Sequence, residues 1–188
     1  MENQGNKLAR FSFFSRPIIN TRPSANFTLL DTYNYIVGYQ AKEATTKLRM
    51  IGDVKMAREF KAANFDYCTF SGVFSKRNDK NLIEHSGLLC LDFDHLKNLD
   101  ALRAQLLEDE YFETQLLFRS PSGDGLKWII NIDLSQTNHS DYFRAVANYL
   151  KQTYSVEVDQ SGKDVSRACF LPHDPDCFIN QKLLNYGK

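Results

Sequence analysis

Two aspartates separated by one residue, Asp92 and Asp94, directly follow the apolar run LLCL of residues 88–91. A short apolar run bounded by polar residues indicates a buried strand, and side chains two residues apart on a strand lie on one face. Neighbouring carboxylates repel each other unless a cation lies between them, and Mg²⁺ and Mn²⁺ prefer oxygen ligands. The pattern suggests a metal site, although a strand with one solvated face also commonly carries such a pair.

Two further polar clusters follow along the chain. The loop SPSGDG of residues 120–125 precedes Lys127, and Asp159 is followed by Asp164 and Arg167. Phosphoryl transfer uses divalent cations held by carboxylates, positive groups that neutralise charge, and loop amides that approach phosphate oxygens. Each cluster alone has a simpler explanation, as a hairpin connection, a turn or a solvated charge. Their order and spacing together favour a phosphate-handling site.

Hydrophobic periodicity gives the elements that must position these residues. Strands are predicted at residues 11–14, 65–74, 87–93, 114–119, 126–132, near 158 and at 168–172, and helices at 29–38, 47–63, 96–111 and 139–154. The short polar segment 75–81 predicts that strands 65–74 and 87–93 form a hairpin. From residue 65 onward the order predicts an α+β fold, with an antiparallel or mixed sheet and helices packed on one face.

Composition is that of an ordinary globular chain. The 188 residues are 43% hydrophobic and carry a formal net charge of zero, which fits a single domain. We expect an N-terminal lobe over residues 1–64, a core over 65–180 and a tail over 181–188. No apolar run approaches the roughly 18–20 residues that span a bilayer, and MENQGNKLARF lacks the apolar segment of a signal peptide. A cytoplasmic location without a membrane partner is expected.

Four stretches carry a resemblance to a known family: FSGVFSKR, HSGLLCLDFDHL, RSPSGDGLKWII and VDQSGKDVSRACFLPHDPD. The sequence resembles the N-terminal domain of the virulence-associated E family of Bacteroidetes mobile elements, which is related to the archaeo-eukaryotic primase superfamily. The resemblance covers most of the chain from about residue 45 and implies an RRM-like, palm-like primase core in a single primase-like domain. It also implies that Asp92, Asp94 and Asp159 are catalytic and bind Mg²⁺ or Mn²⁺, with Asp159 on a later strand.

The resemblance further implies a nucleotide-binding set. Its members are a Ser/Gly-rich turn, a basic residue on the next strand and a later arginine: Ser120, Ser122, Gly123, Gly125, Lys127 and Arg167. The superfamily usually has histidine where this chain has Lys127. Lysine retains its charge at every physiological pH and suits phosphate, but it lacks the planar ring and near-neutral pKa of histidine. Asp164 has no fixed place in the pattern and is held as an alternative ligand.

Three functions are compatible with these residues. The first is a primase-like nucleotidyltransferase of a mobile-element replication protein, which binds a nucleoside triphosphate through two metal ions, acts on single-stranded nucleic acid and works with a helicase-like domain or protein. The second keeps the fold as an inactive module that binds nucleotide or nucleic acid. The third is a haloacid-dehalogenase-type phosphatase with Asp92 as nucleophile and Asp94 as acid/base, a chemistry that requires a parallel α/β sheet.

Overall fold

The structure is a computed structural model that describes residues 8–184. Residues 1–7 of the predicted N-terminal lobe and 185–188 of the predicted tail lie outside the described residues. The strands are β1 (Phe11–Phe14), β2 (Ala25–Phe27), β3 (Tyr67–Thr69), β4 (Gly72–Phe74), β5 (Leu82–His85), β6 (Leu88–Phe93), β7 (Thr114–Arg119), β8 (Leu126–Asn131), β9 (Cys169–Phe170) and β10 (Phe178–Ile179). The helices are α1 (Leu29–Val37), α2 (Lys42–Arg49), α3 (Val54–Asn64), α4 (Leu99–Leu107), α5 (His139–Tyr154) and α6 (Gln181–Leu184).

The strands form two four-stranded sheets and one hairpin. The first sheet has the order β2-β1-β3-β9, the second has the order β10-β7-β8-β6, and β4 pairs with β5. Every pairing among the described strands is antiparallel. The predicted α+β class with an antiparallel sheet is confirmed.

The second sheet separates two apolar clusters because its side chains alternate between its faces. One face packs against α4 and α5 through a cluster that includes Leu89, Leu91, Phe93, Trp128, Leu102, Leu106, Phe143 and Leu150. The opposite face packs against the first sheet and α1 through Leu88, Leu116, Phe118, Ile129, Phe11, Phe13, Cys68 and Ile36. Asp92 and Lys127 alternate with Leu91 and Trp128, so they lie on the face that the first sheet covers.

Several predicted elements are confirmed with small changes in length. Helix α5 has the predicted bounds and begins at the Asn138 cap, whose side chain accepts a hydrogen bond from Asp141 N. Helix α4 is shorter than predicted at both ends, and its start is set by the Asn98 side chain, which accepts a hydrogen bond from Ala101 N. Strands β7 and β8 form the predicted hairpin across the 120–125 loop, and β1 lies where it was predicted.

The single helix predicted over residues 47–63 is wrong. The chain forms α2 and α3 instead, with residues 50–53 outside both helices. The Asp53 side chain accepts a hydrogen bond from Met56 N and so caps a new helix. Because apolar residues continue at intervals of three through the interruption, hydrophobic spacing alone did not reveal it.

The hairpin predicted between residues 65–74 and 87–93 is also wrong. The first segment divides into β3 and β4, β4 pairs with β5, and β6 pairs along its whole length with β8. A nearer partner for β4 was available in residues 82–85, and the 3₁₀ turn Asp79–Asn81, capped by Asn78, closes that shorter hairpin. The strand predicted near residue 158 does not form either, since residues 155–159 have no regular secondary structure.

No helix among residues 8–184 is both long enough and apolar enough to span a membrane.

Candidate metal and phosphate site

Strand β6 places Asp92 and Asp94 at one end of the second sheet. Asp92 lies directly across from Lys127 in the β6–β8 register, and its side chain is 17% exposed. Asp94 follows the last residue of the strand and is exposed. Of the two acids, Asp92 is therefore the one whose charge must be compensated inside the protein.

Asp159 reaches the same place by a different route from the one predicted. It precedes the 3₁₀ turn Gln160–Lys163, and its backbone amide donates a 2.9 Å hydrogen bond to the carbonyl oxygen of Asp92. One carboxylate oxygen from each of Asp92, Asp94 and Asp159 lies within 4.8 Å of the others. The three acids singled out in the sequence are therefore neighbours. A single main-chain hydrogen bond to β6, and not the strand predicted near residue 158, holds Asp159 beside Asp92.

Lys127 forms an ion pair with Asp92 Oδ2 and is 8% exposed. Burial favours the neutral form of both groups. It raises the pKa of Asp92 against the opposing effect of Lys127. For Lys127 burial alone would lower the pKa, but the charge and hydrogen bond of Asp92, together with the nearby Cys169 and Cys90, raise it. Asp92 Oδ1 is buried and has no hydrogen-bond partner in the described part of the chain. A buried oxygen of this kind is an open position for a cation.

Asp159 is stabilised in its charged form. Its Oδ1 accepts from Ser161 N at 2.9 Å, and its Oδ2 accepts from Ser161 Oγ at 2.6 Å and from Arg167 Nη2 at 2.7 Å. Burial alone would raise the pKa of Asp159, but the Ser161 hydrogen bonds and the charge of Arg167 together lower it. Arg167, for which a nucleotide contact was predicted, orients a carboxylate in the structure.

The 120–125 loop is a tight turn closed by its own hydrogen bonds. Ser120 N donates to Gly125 O at 2.8 Å, Gly123 N donates to Ser120 O at 2.9 Å, and Gly125 N donates to Ser120 Oγ at 3.1 Å. Gly123 has a φ of 89°, and a Cβ on Gly125 would overlap the carbonyl oxygen of Phe93. These glycines shape the loop, and Ser122, which is exposed, is its freer hydroxyl.

A cleft of about 340 Å³ connects the acids with the loop. Its lining includes six of the residues singled out above: Asp92, Asp94, Ser120, Ser122, Lys127 and Arg167. Asp164 also lines it, whereas Gly123 and Gly125 do not. Asp159 adjoins the lining through its carboxylate, one oxygen of which lies within 4.8 Å of those of Asp92 and Asp94.

Two basic residues that sequence reasoning missed, Lys61 and Arg77, also line this cleft. Burial, and then the nearby charge of Lys127, lower the pKa of Lys61, whose ammonium lies 5.9 Å from the centroid of the Phe170 ring. The guanidinium of Arg77 lies 5.3 Å from the centroid of the Tyr67 ring and donates to Tyr67 Oη at 3.2 Å. Arg77 belongs to the FSGVFSKR stretch, which was the available signal; Lys61 on α3 had none.

Arg49, at the end of α2, contacts the loop from behind. Its Nε donates to Pro121 O at 3.2 Å and its Nη2 donates to Ser120 O at 3.4 Å. A Cβ on Gly123 would lie 3.0 Å from Arg49 Nε, so this guanidinium and the loop backbone are in close contact. A helix that precedes β3 in the chain thereby fixes the loop after β7.

The arrangement combines two opposite charge types across one cleft. Three carboxylates converge at its base, and Lys61, Arg77, Lys127 and Arg167 surround them. Carboxylate oxygens suit hard divalent cations, and lysine and arginine side chains suit phosphate oxygens. The cleft has the donors to bind a polyphosphate together with a divalent cation.

Sequence comparison assigns the family. The profile of the BT4734-like N-terminal domain matches residues 59–178, and the chain belongs to that family. Kinship with the virulence-associated E family stays a prediction. No curated protein matches the sequence.

Comparison with solved structures finds a weak similarity to a polymerase domain. The chain is similar to a solved structure described as "Polymerase Domain from Mycobacterium tuberculosis Ligase D in complex with DNA", with 14% identity and a TM-score of 0.40. The match covers 93% of this chain and 61% of that one, so this chain spans less than two thirds of its length. A likeness at this level carries no argument about function.

Proposed function

We propose that this chain is a primase-like domain that binds a nucleoside triphosphate with Mg²⁺ or Mn²⁺ and transfers its nucleotidyl group to a 3′-hydroxyl, which attacks the α-phosphate and releases pyrophosphate. The observation that carries the proposal is the convergence of Asp92, Asp94 and Asp159 at the base of a cleft that Lys61 and Arg77 also line. Phosphoryl transfer depends chiefly on positioning and charge neutralisation, and this arrangement offers both. The likeness to a primase core and kinship with the virulence-associated E family are parts of the proposal.

The residues present fit a divalent cation. All three candidate ligands are carboxylates, and the buried Asp92 Oδ1 has an unused acceptor position. When bound, such an ion neutralises phosphate charge and favours ionisation of the attacking hydroxyl. The chain's own residues do the rest: Asp92, Asp94 and Asp159 hold the ion, and Lys61 and Arg77 bind phosphate oxygens.

The remaining nucleotide contacts come from the loop and the adjoining basic residues. Ser122 and the loop amides approach the phosphates, whereas Ser120, Gly123 and Gly125 maintain the shape of the turn. Lys127 contributes positive charge beside Asp92, its partner on the neighbouring strand. Arg167 orients Asp159 and presents the rest of its guanidinium to the nucleotide or template.

The setting of this activity is also proposed. Single-stranded nucleic acid is the template, a helicase-like domain or protein is the partner in replication of a mobile element, and the location is cytoplasmic. The zero net charge argues against strong nonspecific DNA binding by this chain alone, because counterion release requires several basic residues on one face. A partner that supplies the template is consistent with that charge.

A second candidate is a binding module of the same fold without catalysis. It is favoured by one specific contact: the Lys127 ammonium already occupies Asp92 Oδ2, an oxygen that a catalytic metal could use. The phosphatase alternative is disfavoured, because its chemistry requires a parallel sheet and the described strands pair antiparallel throughout.

The test is primer extension and de novo synthesis by the full chain with Mn²⁺, together with triphosphate binding. We expect incorporation by the wild type and its loss in Asp92→Asn and Asp94→Asn; Asp94 is exposed, so the second variant should fold normally. Lys61→Gln and Arg77→Gln should weaken triphosphate binding by about tenfold each, a cost of about 1.4 kcal/mol. Lys55→Gln, an exposed site on the same helix as Lys61, is the matched control.

Two results would contradict the enzymatic proposal. The first is a wild-type chain that neither extends a primer nor makes one. The second is steeply salt-dependent single-strand binding that persists in Asp94→Asn without any incorporation, which would establish the binding module instead.

A further inference from the structure

The cross-strand pair of Asp92 and Lys127 bears on how many metal ions the site holds. The two residues are direct partners in the β6–β8 register, so their backbones fix the approach of the ammonium to Asp92 Oδ2. Their side chains are only 17% and 10% exposed. Removing this ammonium from the carboxylate would leave a buried charge without a counterion, which is strongly unfavourable.

The charges of the three acids are already partly compensated. Asp92 has Lys127, and Asp159 has Arg167 at 2.7 Å. Asp94 makes no hydrogen bond or ion pair with the other residues of the described range 8–184. The net charge of the three carboxylates and their two cations is therefore −1, a charge that one divalent ion more than neutralises.

The number of free carboxylate oxygens also favours a single metal ion. Two-metal sites place their ions about 3.5–4 Å apart, and a carboxylate that serves both ions uses a different oxygen for each. Asp92 has only Oδ1 free, since Oδ2 is paired with Lys127. Both oxygens of Asp159 already accept hydrogen bonds from Ser161, and Oδ2 also accepts from Arg167.

We infer that the Lys127 ammonium takes the place of one of two divalent cations, so that the site holds a single ion through Asp92 Oδ1, Asp94 and Asp159. The inference rests on the proposed function for the presence of a metal, and it differs from the two-ion expectation drawn from the resemblance. A tethered ammonium carries one charge instead of two and stays with the protein when products leave. The single ion and Lys127 together supply the positive charge at the base of the cleft.

The experiment counts Mn²⁺ ions on the full chain at neutral pH. Free Mn²⁺ is measured by electron paramagnetic resonance, with and without a non-hydrolysable nucleoside triphosphate. We expect one bound ion per wild-type chain in both states and no signal from a coupled Mn²⁺ pair. Lys127→Met, which keeps an apolar stem without the charge, should bind two ions and show the coupled signal. Asp94→Asn should weaken binding of the single ion by about tenfold or more.

Each outcome decides the inference. Two coupled ions on the wild type would overturn it and leave the proposed function standing. One ion on both the wild type and Lys127→Met would also overturn it, because the lysine would not be what excludes the second ion. No binding to the wild type would remove the metal site and the proposed catalysis with it. If Lys127→Met does not fold, the wild-type count with triphosphate decides alone.

Discussion

The backbone amide of Asp159 donates a 2.9 Å hydrogen bond to the carbonyl oxygen of Asp92. This main-chain contact fixes two acids from distant segments next to each other without using either carboxylate. Substituting either side chain therefore leaves this main-chain contact available.

Asp92→Asn should destabilise the fold as well as remove a metal ligand. The substitution leaves the buried Lys127 ammonium facing a neutral partner, and breaking a buried pair in this way costs about 3–5 kcal/mol. Urea unfolding at pH 7.5 measures the loss. Asp94→Asn, at an exposed position, is the control and should change the free energy of unfolding by less than about 0.5 kcal/mol. Equal losses of unfolding free energy in the two variants would contradict the predicted difference between the buried and the exposed aspartate.

Gly125→Ala should destabilise by about 3 kcal/mol, because the new Cβ overlaps the backbone oxygen of Phe93 and neither segment can move freely. Gly52→Ala provides the matched comparison, since a Cβ there meets no atom within 4 Å. Thermal unfolding of the two variants gives the difference. A Gly125→Ala protein as stable as Gly52→Ala would mean that the loop relaxes more easily than its contacts indicate.

Arg49→Met should weaken triphosphate binding about tenfold while lowering stability by about 1 kcal/mol. The guanidinium donates to the carbonyl oxygens of Ser120 and Pro121, so its loss frees the loop without touching the cleft itself. Isothermal titration calorimetry measures the affinity. Lys47→Gln, on the exposed side of the same helix, should bind like the wild type. Unchanged affinity in Arg49→Met would show that the loop does not need this contact.

Stability should fall as the pH drops from about 6.5 to about 4. Burial, and then the neighbouring His139, lower the pKa of His85 to about 4, below the roughly 6.5 of the unfolded chain. The unfolded state therefore binds the proton first, so the contribution of His85 is complete above pH 6.5 and is lost through this window. Urea midpoints measured across it provide the test.

The hydrogen bonds around His85 explain why its neutral form is favoured. Gly87 N donates to His85 Nδ1 at 3.0 Å, and the Gly162 carbonyl can only accept from His139 Nε2 at 3.2 Å. The remaining 3.1 Å contact is then a donation from His85 Nε2 to His139 Nδ1. His85→Gln should reduce the loss of stability between pH 6.5 and 4. His95 is the control: its side chain is 88% exposed, and His95→Gln should leave that loss unchanged.

Sequence alone predicted the parts of the molecule that local chemistry determines. Helix α5 has a long amphipathic pattern with a clear cap, and Asp92 and Asp94 follow an apolar strand that admits few other interpretations. In the first sheet, strands were predicted over β1, β3 and β9, but the three-residue β2 is too short for a periodic signal, and the pairing of these short strands was not predicted.

Two of the basic residues around the site carried no signal in the sequence. Lys61 and Arg49 lie on helices where a basic residue is ordinarily solvated, and only packing brings them to the cleft and its loop. The pairing of Lys127 with Asp92 depends on which residues face each other across β6 and β8. Because residues 87–93 were predicted to pair with residues 65–74, the pairing of β6 with β8 was not predicted.

Strand β1 lies between β2 and β3 in the first sheet, and Phe11 and Phe14 are fully buried there. The family profile matches from residue 59, so β1 and β2 lie outside the matched segment although they belong to the same sheet as β3. A fragment cut at that boundary would expose the edge of β3 to pairing with other chains and would lose Arg49 behind the loop.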